Sequence, residues 1–321
     1  TEMAAALDAA AATAGLSDTQ RRRLQMTRDF LAYTTLLHRY GLRPSKETRQ
    51  QVEDLVAGVE ARQEFTLDTV MHRHTFAAAG RAAAIKDPAA HLVGRAVLAS
   101  PGGTPAPAAL KLSASGRGRH VFALVLPPGG RLQAEIELRR LGRYTNPVSW
   151  VLLDEAGKTV ASGEATLEAN GTVDLPEAAP GTYTLVADAG SNALRVTSTL
   201  TGLALVAREA LPLLGSQPPL YFLVPAGTAA FSVRLESDAP GETGKLQVCD
   251  PAGKVVAEGD TIATGLAQLE VRVAPDLAGK AWSVKIGPAG KGVCEDLRLT
   301  LGGPLPSFLA VSPERVLVRA P

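Results

Sequence analysis

The sequence predicts a multidomain α and β protein: an N-terminal α-helical region followed by two tandem antiparallel β-sandwiches of the immunoglobulin-like or jelly-roll type. Three observations predict this fold class. Residues 1–92 carry apolar side chains at helical spacing, residues from 93 onward form short strand-like segments broken by Pro and Gly, and one ten-residue phrase occurs twice. The predicted domains are a helical bundle or layer at 1–92 and β-sandwiches at 93–208 and 209–321.

The ends of the predicted helices are marked by familiar signals. The first helix is the Ala-rich stretch TEMAAALDAAAATAG, since Ala has the highest helix propensity. Ser17 and Gln20 form a capping box for a second, long helix, which Gly41 and Pro44 end. Ser45 is placed to cap a third helix.

Apolar stripes predict the buried faces of these helices. The stripe residues are Met26, Phe30, Tyr33, Leu37 and Tyr40 on the second helix, and Val52, Leu55, Val56 and Val59 on the third. A fourth helical segment is expected from Val70 to Ala84. We expect the stripe of the second helix to pack against this chain or against a further domain.

The repeated phrase predicts one β-hairpin in each sandwich. DEAGKTVASG at 154–163 returns as DPAGKVVAEG at 250–259. An Asp followed three residues later by Gly suits a tight turn, because the Asp side chain accepts local backbone hydrogen bonds and Gly adopts positive φ. Further along, Tyr183 corresponds to Trp282, and Phe122 before PPGG lies near the position of Phe222 before PAGT.

Composition limits the classes of function. The 321 residues include 33 basic and 32 acidic side chains, a net charge of +1, which gives no support for a nucleic-acid partner. No apolar run approaches the roughly 20 residues that a membrane-spanning helix needs. The chain begins with Thr1 rather than Met, so we expect a processed product or a fragment of a longer protein.

The two cysteines, Cys249 and Cys294, both fall in strand-like segments of the last predicted domain. A disulfide between them requires neighbouring strands with suitable Cα separation. The alternative is two small buried hydrophobic side chains. Sequence spacing leaves both interpretations open.

Carbohydrate binding is the best-supported kind of site, because sugars stack on exposed aromatic rings. The candidate ligand-binding residues are Tyr144, Arg143, Trp150 and Tyr221. Tyr144 lies in a predicted loop among arginines, whereas Trp150 lies in an apolar strand, as does Trp282, so core packing is favoured for both tryptophans. The basic stretch GRGRH at 116–120 is interpreted as a solvated loop.

The sequence contains no clear motif for a metal site or a catalytic site. His72 and His74 would point to different faces of a helix but to one face of a strand, and their surroundings favour a helix. The Asp of each repeated turn supplies too few oxygens for calcium. No nucleophile motif and no carboxylate pair of glycosidase type is marked by spacing. We therefore expect no metal, no cofactor and no catalytic residue in this chain.

Several stretches resemble the C-terminal end of large secreted bacterial glycoside-hydrolase-like proteins. These stretches are PLYFLVPAGTAAFSVRLES, VCDPAGKVVAEGD, WSVKIG and CEDLRLTLGGPLPSFLAVSPERVLV, and RRRLQMTRDFLAYTTLLHRYG resembles the helical layer that precedes the sandwiches in that family. The resemblance covers nearly the whole chain. It implies an extracellular or periplasmic protein and a partner TIM-barrel domain before Thr1, akin to α-glucuronidase and hexosaminidase barrels, which holds the catalytic carboxylates.

The favoured hypothesis is a non-catalytic accessory region of a glycoside hydrolase, with helices that pack on the barrel and sandwiches that act as spacers or contact polysaccharide. The alternatives are a stand-alone carbohydrate-binding module and a structural or adhesive surface protein. A hydrolase in its own right is the least favoured hypothesis, because it needs two carboxylates across a concave site.

Overall fold

The computed structural model describes residues 2–43, 45–62, 85–99, 110–112, 116–142, 144–198, 200, 202–237 and 239–320. The chain divides into two compact units, Thr1–Arg81 and Ala82–Pro321. α-Helices make up the described part of the first unit, and antiparallel strands dominate the second, so the predicted α and β fold class is confirmed. The sequence boundary near residue 208 falls inside the second unit.

The first unit contains α1 (Glu2–Ala11), α2 (Asp18–Leu42) and α3 (Lys46–Ala61). The predicted capping box is present, because the Ser17 hydroxyl accepts the Gln20 amide N–H and the Gln20 side chain accepts the Ser17 amide N–H. The Ser45 hydroxyl accepts the Thr48 amide N–H at 3.1 Å. The fourth helix predicted from Val70 to Ala84 lies outside the described residues.

Most side chains of the two predicted apolar stripes are at least partly buried in the helical unit. The fully buried members are Tyr33, Tyr40, Val52, Val56 and Val59. Phe30 is 45% exposed in this chain, so its packing against a further domain, which the sequence left open, stays a prediction. Three residues before Tyr33, Phe30 lies about 60° around the helix from the line of buried tyrosines, which puts it at the edge of the stripe.

The second unit contains nineteen described strands. They are β1 (Ala96–Leu98), β2 (Leu110–Leu112), β3 (Arg117–Leu126), β4 (Leu132–Arg139), β5 (Val148–Leu153), β6 (Thr159–Ala165), β7 (Gly171–Leu175), β8 (Gly181–Ser198), β9 (Gly202–Val206), β10 (Leu211–Leu214), β11 (Gln217–Leu223), β12 (Ala230–Ser237), β13 (Lys245–Cys249), β14 (Val255–Asp260), β15 (Leu266–Arg272), β16 (Ala281–Gly287), β17 (Asp296–Gly302), β18 (Phe308–Ala310) and β19 (Leu317–Arg319). We term β2–β9 the first strand set and β10–β18 the second strand set.

The two strand sets pair in the same order. In the first set, β3 lies between β8 and β9, β5 between β6 and β8, and β4 between β7 and β8. In the second set, β11 lies between β16 and β18, β13 between β14 and β16, and β12 between β15 and β17. The 18-residue strand β8 bends after Asp188 and so takes both the place of β16 and the place of β17.

Strand register refines the match between the two sets. Tyr183 pairs with Leu124 and Trp282 pairs with Phe222, so Leu124 takes the register position of Phe222. Phe122 lies two residues earlier, opposite Leu185. The sequence comparison placed it near Phe222 because each Phe precedes a Pro-Gly turn, but the number of residues between Phe and turn differs in the two sets.

A short strand, β18, joins the first strand set to β11, β13, β14 and β16 in one continuous sheet, whereas β10, β12, β15 and β17 form a separate four-stranded sheet. β18 pairs antiparallel with β9 along Phe308–Ala310, and its last residue also pairs with Tyr221 of β11. Phe308, Leu309 and Ala310 are all buried. We term β9–β18–β11 the seam, because it carries backbone hydrogen bonding from one strand set into the other.

An outer ribbon covers part of this sheet. β1 pairs with β19, and Ala96 and Leu317 pack with Ala123, Ala204 and Phe308 in a separate apolar cluster. The residues that precede and follow the strand sets therefore lie side by side over the first strand set and the seam.

Candidate functional site

A groove lies at the junction between the two strand sets, within the second unit. It consists of two adjoining cavities of about 280 and 360 Å³, which share Arg119, Ala210 and Pro212 as walls. Sites for small ligands occur preferentially at interfaces between structural modules. We term this feature the junction groove and take it as the candidate functional site.

The start of β3 forms one wall of the groove. Gly118 has a φ of +73°, and the register with β8 shifts between Arg117, opposite Ala193, and Arg119, opposite Asp188. Between these two pairs one residue intervenes in β3 and four in β8, so the extra residues of this β-bulge lie in β8. β9 pairs with β3 only from Phe122 onward, so the edge of β3 before it is left beside the groove.

The prediction that GRGRH is a solvated loop is therefore wrong. Residues 117–120 of this stretch belong to β3, and Arg117, Arg119 and His120 line the groove. Sequence reasoning missed the site because two glycines within five residues are typical of a loop. In this fold Gly118, with its positive φ, lies within β3 at the register shift with β8.

Two arginines of this wall are held by loose ion pairs. Arg119 contacts His91 Nε2 at 3.1 Å through Nη1 and Asp188 Oδ2 at 3.4 Å through Nη2. Arg117 lies 3.2 Å from Asp296 Oδ1 and 3.4 Å from Glu295 Oε1. The Arg117 and Arg119 side chains are 34% and 36% exposed, whereas the Nε atom of Arg117 is buried.

Arg208 lies at the other side of the groove and anchors the segment before β1. Its Nη1 and Nη2 donate to the carbonyl oxygens of Leu92 and Val93 at 2.7 and 2.8 Å. Partial burial, followed by the neighbouring positive charge of Arg319, lowers the pKa of Arg208. Both hydrogen bonds described for the Arg208 guanidinium go to neutral carbonyl groups.

His120 connects the two strand sets beneath the groove. The side chain is 2% exposed, and its Nε2 lies 2.9 Å from the carbonyl oxygen of Pro212 in β10. Because a carbonyl oxygen only accepts, Nε2 carries the proton. Burial lowers the pKa of His120 below its ordinary value, against the raising effects of the Pro212 and Gly118 carbonyls and of Asp188.

Tyr144, the leading candidate from the sequence, lies on a surface loop and is 42% exposed. Asn192 is fully buried and fixes this loop: its Oδ1 accepts the Leu141 amide N–H at 3.0 Å, and its Nδ2 donates to the Asn146 carbonyl at 2.9 Å. Tyr144 does not line the junction groove. Arg143 lies outside the described residues.

The rings of the other aromatic candidates are buried or half-buried. Trp150 is 5% exposed and packs against Gly163 and Gly171, and Trp282 is 2% exposed. Both are core residues, which is the alternative that the sequence favoured. Tyr221 is half-buried in the seam, opposite Ala310.

The two cysteines are free thiols in the structure, so the disulfide considered from the sequence is not formed. Cys249 is fully buried in β13, where it pairs with Ser283. Cys294 precedes β17, a strand of a different sheet, and burial raises the pKa of its thiol.

Across the described part of the chain, no three His, Cys, Asp or Glu side chains form a group that could hold a metal ion. His72 and His74 lie outside that part. None of the described helices combines the length and the hydropathy needed to cross a membrane.

No family model matches this chain, and no curated protein is similar to it. Among solved structures, a β-glucuronidase from an uncultured Clostridium sp. is 12% identical, with a TM-score of 0.19, over 55% of this chain and 34% of that chain. A β-glucuronidase from Ruminococcus gnavus in complex with D-glucuronic acid is 14% identical, with a TM-score of 0.20, over 57% of this chain and 36% of that chain. The matched region spans about a third of these proteins, and the likeness defines neither a family nor an activity for this chain.

Proposed function

We propose that this chain is a non-catalytic structural region of a secreted glycoside-hydrolase-like protein, in which the two strand sets form one rigid spacer. The seam is the observation that carries this proposal. The family context comes from the sequence resemblance of the second strand set and of α2. On the same proposal, the partner of the helical unit is the TIM barrel that the resemblance implies.

The seam supports rigidity for a physical reason. Modules linked only by a flexible segment move relative to each other unless a large apolar interface holds them. Here a hinge between the first strand set and β18 would break the pairing of β18 with β9 and expose apolar side chains such as Phe308 and Leu309, which are now buried. Each apolar side chain of the size of Phe or Leu contributes about 1.5–3 kcal/mol through burial, so the closed seam is strongly favoured.

Two tryptophans allow a direct test, because Trp150 lies in the first strand set and Trp282 in the second. Urea unfolding of the full chain is followed by fluorescence in the variants Trp150→Phe and Trp282→Phe, each of which keeps one reporter. In a rigid spacer the two strand sets unfold together. For each variant, the urea midpoint measured by fluorescence should therefore coincide with the urea midpoint measured by the far-ultraviolet circular dichroism of the strand unit. A fluorescence midpoint that differs from the circular dichroism midpoint of the same variant would contradict the proposal.

A seam variant provides the matched control. Leu309 is fully buried and pairs with Leu205, so Leu309→Asp should weaken the seam. We expect the two strand sets of this variant to unfold in separate steps. Hydrolysis of glycosidic bonds by the unmodified chain alone would contradict the non-catalytic part of the proposal.

A second candidate function is glycan binding at the Tyr144 loop, which a separate observation favours. The ring of Tyr144 is exposed while its loop is fixed by the buried side chain of Asn192, an arrangement that suits stacking on a sugar face. Calorimetry across a panel of neutral oligosaccharides should then give binding that Tyr144→Ala removes. Phe30→Ala is the control, because Phe30 is comparably exposed but lies in the helical unit. No heat from any sugar would contradict this function.

A further inference from the structure

We propose that the junction groove binds an acidic oligosaccharide, with carboxylate or sulfate groups of the ligand pairing with Arg119 and Arg208. The anionic character of the ligand is argued from the groove alone. Its saccharide nature rests on the proposed function.

Arg119 has donors left over for a ligand. A guanidinium group has five N–H donors in a planar fork, which suits carboxylate and sulfate groups. Among the described residues, Arg119 contacts only His91 and Asp188, each through one terminal nitrogen. The 3.4 Å separation from Asp188 is long for a charge-assisted hydrogen bond, so a ligand oxyanion can approach without breaking a strong pair.

Arg208 supplies a second positive charge that is already fixed in place. Its two contacts to the carbonyls of Leu92 and Val93 immobilise the guanidinium without neutralising it. The positive charge of nearby Arg319 repels that of Arg208, and a bound anion would relieve this repulsion. Little side-chain entropy would then be lost on binding, which favours affinity.

Three of the acidic residues around the groove contact its arginines. Asp296 and Glu295 contact Arg117, and Asp188 contacts Arg119, all at 3.2–3.4 Å. Glu209 also lines the groove. With acids and arginines interspersed, the groove should favour a ligand that combines anionic groups with many hydroxyls over a bare inorganic anion.

The dimensions of the groove suit a short oligosaccharide. Two adjoining cavities of about 280 and 360 Å³ lie at the lower end of the range for small-molecule sites. Arg119 forms part of both cavities. Two neighbouring sugar rings can thus occupy the groove with an acidic group of either ring near this guanidinium.

Isothermal titration calorimetry of the full chain at low ionic strength and pH 7 tests the proposal with three probes: trigalacturonate, a sulfated trisaccharide and cellotriose. We expect one or both acidic probes to bind and cellotriose not to bind. Arg119→Gln should weaken the acidic probe at least tenfold, and 0.3 M NaCl should weaken it further because screening acts on exposed charges. Binding of the carboxylated or the sulfated probe identifies the acidic group.

Arg131→Gln is the matched control, since it removes the same charge from an arginine paired with Asp174 away from the groove. Arg117→Gln is a second variant of a groove arginine. Thermal unfolding is used to check that each variant is folded. Absence of binding by both acidic probes, equal binding of cellotriose, or equal weakening by Arg131→Gln would overturn the proposal. Any of these results leaves the coincident unfolding midpoints unchanged, so the spacer function is judged separately.

Discussion

Asp154 and Asp250 make the same set of turn hydrogen bonds in hairpins that belong to different strand sets. Oδ1 of Asp154 accepts the amide N–H groups two and four residues on, at 3.0 and 2.9 Å, and Oδ1 of Asp250 does so at 2.9 and 3.0 Å. Gly157 and Gly253, three residues after each Asp, both have a φ of +81°. The repeated phrase therefore produces a repeated structure, because the groups that define the turn all lie within it.

Asp154→Ala and Asp250→Ala should destabilise the second unit by similar amounts, about 1–2 kcal/mol each. Each change removes one side-chain acceptor and leaves two turn amides without it. The midpoint of urea unfolding, followed by tryptophan fluorescence, measures the loss. Asp154→Asn and Asp250→Asn retain the acceptor Oδ1, so their loss in the free energy of unfolding should be clearly smaller. A loss confined to one hairpin would show that the two turns are not energetically equivalent.

Gly163 and Gly259 occupy the same place in the two hairpins but should respond differently to Ala. Gly163 lies opposite Trp150, and an added methyl group would stand 2.7 Å from Cζ2 of that indole. Gly259 lies opposite Leu246, and its added methyl group would meet nothing closer than Leu269 Cδ2 at 3.2 Å. Leu269 can move, whereas the buried indole ring cannot easily do so.

Gly163→Ala should therefore cost about 1–3 kcal/mol through overpacking, and Gly259→Ala less than about 1 kcal/mol. Urea unfolding of the two variants measures both losses in the same protein. Equal losses would contradict the packing difference between the hairpins.

The parts of the fold that could be predicted from the sequence are those determined within a few neighbouring residues. The capping box at Ser17 and the turn at Asp154 are of this kind, since donors and acceptors lie within four residues of each other. The apolar faces of the helices were also predictable, because they follow from helical periodicity.

The seam and the junction groove could not be predicted, because they depend on contacts between distant residues. Leu309 pairs with Leu205, and His120 contacts Pro212, and no local pattern marks either pair. The loop interpretation of GRGRH failed for the same reason. Gly118 is typical of a loop until β8 is known to lie beside it.

Thr182→Val should destabilise the second unit by about 2–4 kcal/mol. Thr182 is buried, and its Oγ1 accepts the Ala96 amide N–H at 2.8 Å and donates to the Ala96 carbonyl at 3.0 Å. Val has the same shape but no hydroxyl, so both backbone groups of Ala96 lose their partner while buried. Thr172→Val, at an exposed position of β7, should change stability by no more than about 0.5 kcal/mol.

The test combines urea unfolding with hydrogen exchange at the Ala96 amide. Faster exchange at Ala96 in Thr182→Val, together with the lower unfolding midpoint, would locate the effect in the outer ribbon. Unchanged exchange at Ala96 would show that Thr182 does not hold β1 in place.

His120 should make the stability of the second unit depend on pH in the weakly acidic range. Burial lowers its pKa in the folded chain below the ordinary 6.5, whereas the unfolded chain keeps the ordinary value. Between the lowered pKa and pH 6.5 the unfolded state therefore binds more protons than the folded state. The contribution of neutral His120 is complete above pH 6.5 and is lost as the pH falls through this window.

The expected slope from this one group reaches at most about 1.4 kcal/mol per pH unit, which corresponds to one proton. Urea unfolding between pH 5 and 7.5 measures it as the difference between the unmodified chain and His120→Gln, which removes the titrating ring but retains a donor for the Pro212 carbonyl. His91→Gln keeps His120 and should preserve the slope. A slope that persists in His120→Gln would assign the pH dependence to other groups.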